Sequence, residues 1–339
     1  MTETRSVTAA LTAAAEIAGQ APSVHNTQPW HWRVESNGLE LRAEASRQLR
    51  ASDPDGRLMV LSCGSALHHA RIALAAEGWQ VEVERRPEPN RLARVRVTGR
   101  SDRDPLAMRH LQTIQIRRTD RRPVADVPIE SAVLDAVRAA VEAEGIWLHL
   151  MRPDEVLELA AAADRAQTLE NFDPQWREEI SYWAGGVRSE GLGVPGTAIP
   201  HEAPQTTVPG RDFNVAGDLP ITAGHDGAAR YGILFGPGDT AESWLRAGEA
   251  LSAAWLVAIE HGISLVPMSA AIEVDSTRTI LRRLVSGIGD PYMVLRLGVP
   301  EPDRAAPPRT PRLPASETVE NAVYSSEDVM GGHRPCARR

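Results

Sequence analysis

Two stretches of the chain gather side chains that could do chemistry. The first is Ala21-Pro22-Ser23-Val24-His25-Asn26-Thr27-Gln28-Pro29-Trp30, a turn crowded with hydrogen-bonding groups and closed by an aromatic. The second, far along the chain, is Arg117-Arg118-Thr119-Asp120-Arg121-Arg122-Pro123, a knot of guanidinium groups around a hydroxyl. Pro22 and Pro29 favour a turn that presets the directions of the polar groups between them. Guanidinium groups bind phosphate oxygens through charge-assisted, often bidentate hydrogen bonds. Together the stretches could hold a ligand that carries a polar ring edge and a phosphate. Alone, the basic run reads as an ordinary solvated loop; set beside the turn, it reads as a binding segment. Asn26 could equally satisfy turn backbone, and His25 reads as turn packing before it reads as a proton donor. Trp30 and Trp32 read as core and hairpin packing.

Other chemistry finds little support. No His-Glu-x-x-His or paired Cys-x-x-Cys occurs, and the adjacent His68 and His69 point to different helix faces, so no metal site is expected. Gly191-Leu192-Gly193-Val194-Pro195-Gly196 fits the dinucleotide pattern G-x-G-x-x-G. No hydrophobic strand precedes it, and Pro195 and Pro200 oppose the helix that must follow, so it reads as loop.

The chain has 339 residues, 42% of them hydrophobic, enough for a real core in one large domain or two small ones. Its 37 basic and 45 acidic residues give a net charge of −8, the opposite of the basic excess of nucleic-acid binders. Two cysteines, Cys63 and Cys336, make no disulfide framework, and a reducing cytosol is the default. The Ala-rich start is interrupted by Thr12 and Glu16 and does not read as an export signal. No run approaches the roughly 18 apolar residues of a membrane span. The expectation is a cytoplasmic protein without membrane or nucleic-acid partners.

The elements that must position the two stretches follow from periodicity. Residues 7–18 are spaced as a helix that ends at Gly19. Residues 30–34 and 39–43 alternate around Asn37-Gly38, a hairpin signal. A helix at 59–76 stops at Gly78, and strands follow at 80–84 and 93–97. A second part begins near Leu111, with a helix at 129–143, a strand at 146–151 and a helix at 153–169. Residues 171–230 are rich in Gly, Pro and Thr and too long for an ordinary connection, so they read as a functional lid. Then come a strand at 231–235, a helix at 241–260 ending at Gly262, and strands at 263–266 and 292–297. The chain is extended from Pro300, and 315–339 form a flexible or wrapped tail.

A repeat sits inside this layout. Gly64-Ser65-Ala66-Leu67-His68-His69-Ala70 aligns with Gly248-Glu249-Ala250-Leu251-Ser252-Ala253-Ala254, and the register extends from Asp55 against Asp239 to Gly78 against Gly262. Any two Ala-rich helices align fairly well, but here helix, glycine stop and strand keep their order, which favours duplication. A duplicated unit behaves as a fused dimer with its cleft between the halves.

These segments resemble the nitroreductase-like flavoprotein superfamily, whose members are usually homodimers with flavin at the subunit interface. The match is nearest to its single-chain Acg-type FMN-binding oxidoreductases, in which two nitroreductase-like halves are fused. Residues 22–30 are similar to the family's turn after its first long helix. Arg117-Arg118-Thr119-Asp120-Arg121 is similar to its Arg-x-Ser-x-Arg/Lys motif, with Thr in place of Ser. Val266-Pro267-Met268-Ser269 sits where the family sets backbone against the flavin's reactive nitrogen, and Pro308-Arg309-Thr310-Pro311-Arg312-Leu313-Pro314 resembles its C-terminal basic segment. The likeness spans about residues 7–314, poorly in the lid. The start of the first half offers only Arg5 in place of an Arg motif, so one flavin per chain is expected.

The resemblance implies an α+β, nitroreductase-like, internally duplicated fold, a fused pseudo-dimer with central mixed or antiparallel sheets flanked by helices. The halves would be 1–110 and 111–314, the second carrying the lid. FMN would be bound by Pro22, Ser23, His25, Asn26, Arg117, Arg118, Thr119, Arg121, Pro267, Met268, Ser269, Arg309 and Arg312. Arg117 and Thr119 would hold phosphate with Arg309 or Arg312, Arg121 would lie near the pyrimidine N1 and O2, and the backbone of Met268 and Ser269 would face the reactive nitrogen. No catalytic side chain is strictly required. The implied function is NAD(P)H-dependent reduction of a nitroaromatic, quinone or related small-molecule acceptor by a monomer or homodimer. The alternative is FMN storage under a lid that blocks nicotinamide access.

Overall fold

The computed structural model describes residues 6–88, 91–185, 191–221 and 225–322. The first helix, α1 (Val7–Ala18), is capped by the Ser6 side chain, which accepts from the Ala9 backbone N–H. It buries Ala10, Leu11, Ala14, Ala15 and Ala18, the i, i+3, i+4 stripe of a helix lying on a core. A hairpin of β1 (Trp30–Val34) and β2 (Gly38–Ala43) pairs Val34 with Leu39. Gly38 is required there, because a Cβ would meet the Val95 carbonyl at 2.6 Å. Next come α2 (Arg57–Ala76), β3 (Trp79–Glu88), β4 (Arg91–Arg100) and α3 (Pro105–Ile116).

The remainder runs α4 (Ser131–Ala143), β5 (Trp147–Leu150), α5 (Pro153–Phe172), α6 (Pro174–Trp183), β6 (Arg230–Gly236) and α7 (Ala241–Glu260). It ends with β7 (Ser264–Met268), α8 (Ala270–Glu273), α9 (Asp275–Leu284), β8 (Asp290–Gly298) and β9 (Val319–Asn321).

The strands form two sheets, ordered β3-β4-β2-β1-β9 and β5-β6-β8-β7. Read from β3 and from β7, the first four strands follow the same order with the same antiparallel neighbours. β9 alone breaks the pattern, adding parallel to β1 and wrapping the C-terminal segment onto the first half. α2 and α7 are both 20 residues long and cross at the centre. A Cβ on Gly64 would lie 2.0 Å from the Leu245 carbonyl, and one on Gly248 would lie 1.8 Å from that of Leu61. This is reciprocal contact, i on j and j on i, as at a two-fold interface. His68 Nδ1 meets Ser252 Oγ at 2.8 Å, joining residues that the repeat makes equivalent. The arrangement is compatible with a duplicated α-β-β-α-β-β unit.

The structure departs from the sequence expectations in four places. α3 lies in a stretch for which no element was expected; Asp104 caps it and Pro105 stands at its first position, a helix-start signal. α8 and α9 fill a stretch for which no element was expected. The lid is more than loop: it contains α6 and a small core of its own built from Trp176, Ile180, Ala184, Val194, Ala198, Ile199 and Phe213. Finally, α2 is long and apolar enough to cross a membrane, contrary to the sequence reading, but 83% of its apolar window is buried inside the fold, as in a core helix. Cys336 and Arg5 lie outside the described residues.

Candidate functional site

The turn after α1 is held in an unusual backbone shape. His25, Asn26 and Gln28 all have positive φ, of 44°, 56° and 48°. Non-glycine residues adopt that region at a cost of about 1–2 kcal/mol each, so the surroundings must fix it. Ser23 Oγ accepts from the Gln28 N–H at 2.9 Å, and Ser62 Oγ of α2 accepts from the Val24 N–H at 3.1 Å.

Asn26 is fully employed. Its amide donates to the carbonyls of Gly191, Gly193 and Pro311 at 3.0, 3.0 and 3.1 Å, and its Oδ1 accepts from Arg312 Nη1 at 3.0 Å. Gln28 Nε2 donates to the Gly191 carbonyl at 2.6 Å, and Gln28 Oε1 accepts from the Leu313 N–H at 3.0 Å. Both amides therefore staple the start of the lid and the C-terminal segment onto the turn. Sequence reasoning set Asn26 against the ligand's ring edge. In the structure its amide nitrogen meets carbonyls of two remote segments and its oxygen meets Arg312, not the backbone of the turn itself.

Against this turn comes a cluster of cations. Arg117 stacks over the Trp255 ring with its guanidinium carbon 4.4 Å from the centroid, and its Nη2 reaches the Gln20 carbonyl at 3.4 Å. Arg312 donates to the carbonyls of Thr310 and Ala21 at 3.0 and 3.2 Å. Arg309 donates to Gln20 Oε1 at 3.0 Å, and Arg118 to the Arg117 carbonyl at 2.9 Å. Among the described residues, none of Arg117, Arg118, Arg309 and Arg312 forms an ion pair with a carboxylate. Burial, reinforced by repulsion from Arg312, Arg118 and Arg309, lowers the pKa of Arg117 well below its usual range. Burial and Arg309 push Arg312 down to about 10. Desolvated like charges this close call for an anion.

The repeat register matches Trp255, on which Arg117 stacks, with Arg71 of α2. Arg71 lies 2.6 Å from both Glu144 and Glu249, and Arg85 lies 2.7 Å from Glu249. Those cations are already neutralised.

The turn and the cluster open into one cavity of about 440 Å³. Its lining includes Pro22, Ser23, His25 and Asn26 from the turn, and Arg117, Arg118, Thr119 and Arg121 from the basic run. Pro267, Met268 and Ser269 line it at the end of β7, and Arg309 and Arg312 from the C-terminal segment. Every residue singled out from the sequence is thus brought to one place. Leu58 and Leu61 of α2 and Leu251 and Trp255 of α7 add an apolar wall. Lid residues from His201 to Val215 line the cavity as well. Arg121 donates to the Ala198 carbonyl at 3.0 Å and lies over the Phe213 ring. Burial, with Arg211 and Arg296 nearby, pushes it down to about 10. His25 packs edge-on to Phe213, its Nε2 has no partner among the described residues, and burial holds its pKa well below 6.5. It is a neutral imidazole with one nitrogen available.

Gln20, Ser62, Trp255 and Arg211 were not expected at the site, and Gln28 was expected only as part of the turn. Ser62 and Trp255 lie on the paired repeat helices and were legible only as helix. Arg211 lies in a Gly- and Pro-rich stretch without periodicity, which carries no positional signal.

Fold and site define a class: an α+β protein with two sheets, flanking helices and a cavity lined by several arginines. No protein-family model matches the chain. The Mycobacterium tuberculosis protein named "Putative NAD(P)H nitroreductase Rv3131" is 36% identical over 314 residues, covering 90% of this chain and 89% of its own. "Putative NAD(P)H nitroreductase acg", from the same organism, is 32% identical over 323 residues, covering 94% and 97%. Among solved structures, the FMN-dependent nitroreductase NfnB from Mycobacterium smegmatis, in complex with NADPH, matches with a TM-score of 0.41 at 15% identity over 63% of this chain and 98% of that one. The chain belongs to the nitroreductase-like family that includes Acg, and its fold is the nitroreductase-like fold.

Proposed function

We propose that the chain binds one FMN in this cavity and is an FMN-dependent oxidoreductase, passing electrons from NAD(P)H to a small-molecule acceptor of the nitro or quinone kind. The observation that carries this reading is the meeting of Arg117, Arg118, Arg309 and Arg312, without carboxylate partners, at a cavity bounded by a rigid polar turn. A phosphate monoester carries about −1.5 to −2 charges at neutral pH and would relieve their repulsion. The names borne by the mycobacterial relatives point the same way.

Arg117 and Arg312, the innermost cations, would grip the phosphate, with Arg118, Thr119 and Arg309 closing around it. Arg121 would supply fixed positive charge to the ring's pyrimidine side. Ser23 and His25 retain hydrogen-bonding capacity for the ring edge, whereas Asn26 holds the lid. The backbone of Met268 and Ser269 would bound the reactive side. Bound FMN would supply the redox chemistry, and the protein its position and electrostatics. The pairing of Arg71 and Arg85 with carboxylates favours one flavin per chain. The halves, 1–110 and 111–314, would then act as a fused pseudo-dimer needing no partner to complete the site.

A second reading, FMN storage, is favoured by one observation: the lid from His201 to Val215 lines the cavity and packs Phe213 onto His25. Anaerobic mixing of the yellow protein with NADPH or NADH separates the two. Rapid bleaching and turnover on a nitroaromatic support the enzyme. Flavin that dithionite reduces, but neither nicotinamide does, supports storage.

A further inference from the structure

The lid is held down by backbone and by side chains; Glu179 accepts from Ser52 and Asp226 pairs with Arg296, though neither lid residue lines the cavity. Asn26 and Gln28 take the carbonyls of Gly191 and Gly193, and Arg121 takes that of Ala198. Arg211 is different. Its side chain is about nine-tenths buried, and its guanidinium meets α8, the end of β7 and α5 while the residue itself lines the cavity. Nη2 lies 2.5 Å from Glu273 of α8 and 3.3 Å from Ser269 Oγ at the end of β7. Nη1 lies 3.8 Å from Glu170 of α5, and the group stands over the Trp176 ring of α6 at 5.3 Å. Arg211 itself lines the cavity, whereas Glu170 and Glu273 lie behind it.

The charges balance around it. Burial, with Glu273 adding repulsion, pushes Glu170 up to about 8, so at neutral pH it keeps its proton. One carboxylate, Glu273, then faces one guanidinium. Asp53, ahead of α2, is also pushed up, to about 7, chiefly by burial with a contribution from Glu273. On the cavity side Arg211 faces His25 and Arg121, both held below their usual ranges partly by its charge. Lifting the lid would strip Glu273, whose side chain is about 1% exposed, of its guanidinium partner, and a carboxylate that loses its cation before it is fully hydrated is unfavourable.

We propose that Arg211, seated on Glu273, Glu170 and Ser269, is the latch of the lid and sets how often the cavity opens. It therefore governs both flavin release and access of the nicotinamide. Arg211 is a positioning residue in this scheme, acting through the lid. The proposal rests on the FMN reading for its ligand, but the latch itself is a property of the protein alone.

The test compares wild type with Arg211→Met, Arg211→Lys and Glu273→Gln. For FMN-loaded protein, flavin release on dilution is followed by fluorescence, and NADPH reduction is timed anaerobically. For protein freed of flavin, proteolytic cleavage within residues 191–221 is timed. Arg211→Met and Glu273→Gln should release flavin at least about tenfold faster, the effect of losing one charged hydrogen bond. Both should be cleaved faster, and Arg211→Lys should stay near wild type. Should Arg211→Met fail to fold, Glu273→Gln carries the comparison, since it keeps volume and a hydrogen bond. Unchanged release and cleavage in Glu273→Gln, with FMN still tightly bound, would overturn the latch and leave the FMN reading standing. A wild type that never binds FMN would overturn that reading instead, and cleavage of the flavin-free variants would still decide the latch.

Discussion

Arg117→Met separates a ligand-gripping role from a structural one, because the two predict opposite signs. Arg117 is 7% exposed, stacked on Trp255, and surrounded by Arg118, Arg309 and Arg312 with no carboxylate partner among the described residues. Its pKa is lowered in the folded protein, so folding disfavours its charge, and removing that charge should relieve the ligand-free state. Set against this are a long hydrogen bond to the Gln20 carbonyl and a ring contact of about 1 kcal/mol, part of which the methionine stem retains. The ligand-free variant should therefore melt no lower than wild type. With FMN the sign reverses. Loss of a charged hydrogen bond to phosphate costs about 1.5–3 kcal/mol, a weakening of roughly 10- to 150-fold. Fluorescence titration of flavin-free protein and thermal melts with and without FMN read both effects. A variant that melts lower without ligand and binds FMN as tightly as wild type would refute the reasoning.

Four further outcomes are expected. Asn26→Ala removes an amide that donates to Gly191, Gly193 and Pro311, so it should cost about 1–3 kcal/mol in a thermal melt and speed cleavage of residues 191–221 by a protease. Gly248→Ala would set a Cβ 1.8 Å from the Leu61 carbonyl and force α2 and α7 apart, costing at least about 3 kcal/mol or soluble expression itself. Gly210→Ala, with nothing within 4 Å, should stay within about 0.5 kcal/mol of wild type. Glu170 has its pKa raised by burial from 4.5 to about 8, so the folded state holds its proton more tightly than the unfolded chain. Its stabilising contribution is full below pH 4.5 and lost as pH rises through about 8, at about 1.4 kcal/mol per unit. Melts of Glu170→Gln against wild type from pH 5 to 9 should show the variant gaining up to about pH 8 and levelling off above it, and parallel curves throughout would contradict the assignment.

Much of this architecture was legible because it is local or periodic. α1 and α7 begin and end where apolar spacing and the glycines behind them say they should. The Asn37-Gly38 hairpin takes the register its alternation requires. The pairing of Gly64 with Gly248 was visible as a repeat before it was visible as a contact. What could not be read depends on distant parts of the chain meeting. Asn26 has the side chain of a ligand contact, and only the fold reveals that three carbonyls from two remote segments already occupy it. Arg211 carries no local pattern at all, since its partners come from α5, α8 and the end of β7. α3 carries its cap and proline in plain view but no apolar stripe, because Leu106, Met108 and Ile116 are exposed while His110 and Thr113 face inward.

The most direct test of the central claim compares FMN with riboflavin, which has the same ring system and lacks the phosphate. Arginines that exist to hold that phosphate predict one FMN per chain, and riboflavin binding weaker by a factor of at least about 100, the loss of roughly two charged contacts. Equal affinity for the two flavins, or no binding of either, would contradict it.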